Sequence, residues 1–118
     1  MSVLGELQPN KVFKYFEEIC SIPHGSRNLQ QISDYLVDFA KAHELKYRQD
    51  EDLNVIIWKD GSKGYEASEP VILQGHMDMV AVKEADCDKD MEKEGLDLEI
   101  NGDYISAKGT SLGGDDGI

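Results

Sequence analysis

Basic residues are scarce in this chain of 118 residues: 12 lysines and arginines stand against 24 aspartates and glutamates, a formal net charge of −12. That balance argues against nucleic acid or an anionic membrane as partner, because both call for positive potential. Long apolar runs are missing too, and a membrane-spanning helix needs about 20 such residues. The amino terminus, Met1-Ser2-Val3-Leu4-Gly5-Glu6, has neither a basic region nor an apolar core, so no signal peptide is expected and the location reads as cytoplasmic. Only two cysteines occur, Cys20 and Cys87, in dissimilar contexts, which excludes a disulfide framework and favours two reduced thiols over a bridge. No phosphate loop, dinucleotide fingerprint or Ser-His-Asp order is present.

What remains is a chain of one-domain size, 40% apolar. After Pro9 and Asn10, residues Val12, Phe13, Phe16, Ile19 and Cys20 recur at helical spacing, and Pro23 and Gly25 end the pattern. Asn28 is placed to cap a second helix with an apolar stripe at Leu29, Ile32, Leu36, Phe39 and Ala40. Strands are expected at Leu45 to Arg48, Asn54 to Lys59 and Val71 to Gln74, with a turn at Asp50 to Asp52 and a surface loop over Asp60 to Glu69. The acidic stretch from Lys83 to Gly95 reads as a solvated loop or a calcium-like site. It lacks the spacing and internal glycine of an EF-hand. Leu98 to Ser106 reads as a hairpin turning at Asn101-Gly102. The order gives an α/β domain: two amino-terminal helices, then strands and a hairpin.

Two stretches carry chemistry. Val71-Ile72-Leu73-Gln74-Gly75-His76-Met77-Asp78 runs from an apolar strand into a glycine, a histidine and an aspartate. In extended backbone His76 and Asp78 project to one side, beyond the carboxyl end of a strand, where open α/β sheets hold their ligands. An imidazole there makes a metal ligand, with Asp78 acting on it or on a neighbouring ligand rather than through a direct bond. The second stretch is Gly113-Gly114-Asp115-Asp116-Gly117. Its composition suits an ordinary turn or helix N-cap, yet one helix start rarely needs two aspartates, and a carboxylate has two oxygens with which to bridge a metal pair. His24 reads as turn chemistry, and His43 as a residue complementing a helix end.

Gln74-Gly75-His76-Met77-Asp78-Met79-Val80, together with Leu112-Gly113-Gly114-Asp115-Asp116-Gly117-Ile118, resembles the amino-terminal part of the zinc-dependent aminoacyl-histidine dipeptidases. Ile19-Cys20-Ser21-Ile22-Pro23-His24-Gly25-Ser26 is similar to that family's entry sequence. The resemblance implies that His76 ligates one zinc, that Asp115 bridges two zincs, that Asp78 is the catalytic aspartate orienting the ligand shell, and that Asp116 stands beside the bridge. It implies hydrolysis of Xaa-His dipeptides, with a glutamate general base, further ligands and a lid or dimerisation domain all beyond Ile118. On that basis residues 1–118 are expected to be an incomplete mixed-sheet catalytic domain, inactive alone. Two other readings stay open: a non-enzymatic acidic binding module, and a magnesium or calcium site built from Asp78, Asp115 and Asp116.

Overall fold

The structure is a computed structural model and describes residues 2–113 and 118. Two helices are followed by two antiparallel hairpins. Helix α1 is Asn10–Cys20 and α2 is Gln30–Ala42; strands β1 (Lys46–Gln49) and β2 (Val55–Trp58) pair with each other, as do β3 (Leu98–Asn101) and β4 (Tyr104–Ala107). This is the α/β order expected. Among the described residues no helix is long and apolar enough to cross a membrane.

Helix α1 turns Phe13, Phe16 and Cys20 onto a core with Leu4, Leu98, Leu96, Ile105 and Leu112. The amino-terminal segment is drawn onto the same helix because Glu17 accepts hydrogen bonds from Ser2 Oγ and from the backbone N–H groups of Val3 and Leu4. Val12, expected on the inward stripe, is instead exposed.

Helix α2 packs on the β1–β2 hairpin. Its fully inward positions are Ile32, Ser33, Val37 and Ala40, one step round from the expected stripe, with Leu36 and Phe39 at its margin. Ser33 can be buried because its hydroxyl donates to the carbonyl of Leu53 at 2.7 Å and accepts from Gln49 Nε2 at 2.8 Å. Asn28 does not cap this helix: its Nδ2 donates to the carbonyl of Glu92, tying the helix entrance to the acidic loop. The turn between β1 and β2 is built by Asp50, whose carboxylate accepts from the N–H groups of Asp52 and Asn54 and from Asn54 Nδ2.

Two further expectations need correction. In the second hairpin Asn101 pairs with Tyr104, so the turn residues are Gly102 and Asp103 rather than Asn101 and Gly102. Gly102 supplies the positive φ, +62°, that the tight turn requires. Val71 to Gln74 is not a strand: no strand lies alongside it among the described residues, and Val71, Ile72 and Leu73 are 83%, 88% and 92% exposed. A strand forms only through a neighbour that satisfies its backbone groups, and apolar composition cannot supply that neighbour.

The stretch from Lys83 to Gly95 is a loop, as expected, held by bonds of its own such as Asp90 N–H to Glu94 Oε2. Cys20 and Cys87 are both thiols.

Candidate metal centre

His76 and Asp78 sit on a segment that is fixed from two sides. On one side Met79 makes a parallel bridge with Gly25: Met79 N–H donates to the His24 carbonyl at 3.0 Å, and Ser26 N–H donates to the Met79 carbonyl at 3.1 Å. On the other side Ser111 clamps residues 80–82. Its hydroxyl donates to the Val80 carbonyl at 2.6 Å, its N–H donates to the Val82 carbonyl at 3.0 Å, and its oxygen accepts from Val82 N–H at 3.1 Å. These bonds give a rigid base to a segment with no regular strand of its own.

The ring of His76 meets Asp78 directly. Nδ1 lies 3.0 Å from Asp78 Oδ1 and 2.9 Å from the Asp78 carbonyl oxygen. The expectation that residues two apart could not make this bond is corrected. The backbone between them is not in a regular strand. Both neighbours of Nδ1 are acceptors, so in the neutral ring Nδ1 carries the hydrogen and Nε2 the lone pair. A carboxylate fixing the tautomer of an imidazole in this way is the usual companion of metal ligation through the other nitrogen.

Asp78 is held in turn by Ser26, whose Oγ donates to Oδ2 at 2.6 Å. This bond lowers the Asp78 pKa from its ordinary value, more strongly than slight burial raises it, and the bond from His76 acts the same way. The carboxylate is therefore ionised at neutral pH. Ser26 lies 52 residues away in sequence. No spacing rule connects the two, so residue spacing assigns no role to this serine.

Asp115 and Asp116 lie outside the described residues. The chain leading to them is described: Gly113 has φ +75° and lies against the buried Met79 side chain. Among the described residues, no three His, Cys, Asp or Glu side chains converge as a metal site would require. His24 is 2% exposed and its Nδ1 contacts the Ile22 carbonyl at 2.7 Å, consistent with a turn role. His43 stands at the carboxyl end of α2, its Nδ1 on the Phe39 carbonyl, as its position suggested.

No family model matches the chain. It is 39% identical over all 118 residues to a cytosol non-specific dipeptidase of Escherichia coli (strain K12), covering 24% of that protein. Its structure superposes on the crystal structure of an aminoacylhistidine dipeptidase from Vibrio alginolyticus with a TM-score of 0.90 and 37% identity, covering 97% of this chain and 23% of that one. The similarity to dipeptidases read from the motifs is thus borne out along nearly the whole chain. The chain spans about a quarter of the length of these relatives.

Proposed function

We propose that the complete gene product is a zinc-dependent dipeptidase acting on Xaa-His-type dipeptides, and that this chain contributes one terminal ligand and the bridging carboxylate of its metal centre. The observation that carries this reading is the His76–Asp78 pair: a ring whose Nδ1 is held by a carboxylate, leaving metal ligation to Nε2. The chemistry of that donor fits zinc better than magnesium or calcium, because imidazole is a ligand of the softer ion. His76 is assigned as a zinc ligand, Asp115 as the carboxylate shared by two zincs, Asp78 as the residue that fixes the His76 ring, and Asp116 as a neighbour of the bridge.

When bound, a zinc pair supplies an activated water and polarises the scissile carbonyl. This chain's own residues prepare for that. Asp78 keeps the His76 proton on Nδ1, and its negative charge raises the basicity of the ring. Gly113, two residues before Asp115 in sequence, lies against Met79 of the segment that carries His76 and Asp78. The general base and the remaining ligands are assigned to the rest of the gene product, which is also given a cytoplasmic location and a homodimer contact through a further domain.

The test is hydrolysis of Xaa-His dipeptides by the purified complete gene product, before and after chelation and after readdition of zinc. Activity lost on chelation, restored by zinc and abolished in His76→Ala supports the reading. Hydrolysis that survives His76→Ala contradicts it.

A further inference from the structure

Ser26 is exposed, yet its backbone and side chain are both engaged with the segment that carries His76 and Asp78. The strap from Pro23 to Ser26 is pinned against residues 79–81. Besides the two backbone bonds of the Gly25–Met79 bridge, a Cβ added at Gly25 would stand 2.7 Å from the Ala81 Cβ, so only glycine permits this approach. Beyond the strap, Asn28 N–H donates to the Gly25 carbonyl at 2.9 Å, closing a turn through Arg27 at φ +70°. Ser26 is thereby presented to Asp78 by backbone geometry rather than by a flexible reach.

The consequence lies in how the Asp78 carboxylate is divided. Oδ2 accepts from Ser26 and Oδ1 faces His76 Nδ1. A carboxylate held at one oxygen cannot rotate freely, so the other oxygen is fixed toward the ring. We propose that Ser26 is a positioning residue of the metal centre, acting through Asp78 to set the orientation of the His76 imidazole. The proposal rests on the zinc-ligand role assigned to His76 above, and adds to it a residue from a distant part of the chain.

The experiment is a zinc titration of the complete gene product against a chromophoric chelator, together with steady-state kinetics. Loss of such a supporting partner typically weakens metal binding 10- to 100-fold. Ser26→Ala is expected to weaken zinc by roughly that factor and to lower kcat with KM little changed. Ser26→Thr, which keeps the hydroxyl, restores both. Because the two residues act in series, Ser26→Ala combined with Asp78→Ala should be no weaker than Asp78→Ala alone. Zinc affinity of Ser26→Ala within about twofold of the unsubstituted protein, while His76→Ala is impaired, overturns the role of Ser26 and leaves that of His76 standing. A Ser26→Ala loss that adds in full to that of Asp78→Ala also overturns it, since the serine would then act by another route or through the fold. Unchanged zinc affinity in His76→Ala removes the ligand role and the positioning role together.

Discussion

Gly113 lies directly over Met79: a Cβ built on the glycine would stand 3.1 Å from the Met79 Cβ and 3.3 Å from its sulfur, at a backbone φ of +75°. Met79 is itself buried and bonded to the His24 carbonyl. The approach of the chain at Gly113 to the His76–Asp78 segment therefore depends on a residue without a side chain. Gly113→Ala is expected to cost about 1 kcal/mol from the left-handed backbone alone, with further crowding against Met79. Because Asp115 follows two residues later, zinc affinity should fall by more than the thermal midpoint suggests. A variant destabilised yet unimpaired in zinc binding would separate this contact from the metal centre.

Two other glycines offer a contrast in stability. A Cβ at Gly95 would meet the Ser21 backbone, 2.4 Å from its oxygen and 2.6 Å from its carbonyl carbon, beside the bond from Leu96 N–H to the Cys20 carbonyl. At Gly102 it would meet nothing within 4 Å. Gly102→Ala should cost about 1 kcal/mol for its positive φ. Gly95→Ala must displace backbone, and overpacking of this kind costs about 1–3 kcal/mol or more. Denaturant unfolding of the two variants should rank Gly95→Ala clearly lower.

Acid should weaken the fold. Asp50 is lowered in pKa chiefly by the Asn54 side chain and then by its N–H; Asp34 is lowered by Gln49 and then Gln30. At Glu17 burial acts upward, but bonds from Val3 N–H, Ser2 Oγ and Leu4 N–H outweigh it. In each case the folded pKa lies below the unfolded value of about 4, so the stabilisation is present above that pH and is lost as pH falls through the folded pKa. Thermal midpoints should be flat near neutrality and drop below about pH 4. Asp50→Asn, which cannot ionise, should show a shallower acid slope than the unsubstituted chain.

The legible parts of the fold were those where pattern and geometry are local. The apolar spacing from Phe13 to Cys20, the helix over Ile32 to Ala40, and the β1–β2 hairpin follow from neighbouring residues. Ser33 shows the limit. A serine reads as solvent-facing, and only the distant Leu53 carbonyl and Gln49 amide make its burial favourable. Val71 to Leu73 shows the converse, an apolar run that pattern makes a strand and that has no strand beside it among the described residues. In the candidate site, His76 and Asp78 were marked by their spacing, but their direct bond was not, because it depends on a backbone outside regular strand geometry. Ser26 was out of reach, since its link to Asp78 crosses 52 residues. Asp115 and Asp116 were named from sequence and lie outside the described residues.

The proposed metal centre is tested most directly by anomalous diffraction at the zinc edge from crystals of the complete gene product grown with zinc. The expected result is a pair of peaks, one about 2.0–2.1 Å from His76 Nε2, with Asp115 oxygens about 2.0–2.2 Å from both. Zinc bound elsewhere, or a His76 ring turned away with Asp115 out of reach of the same ion, would contradict it.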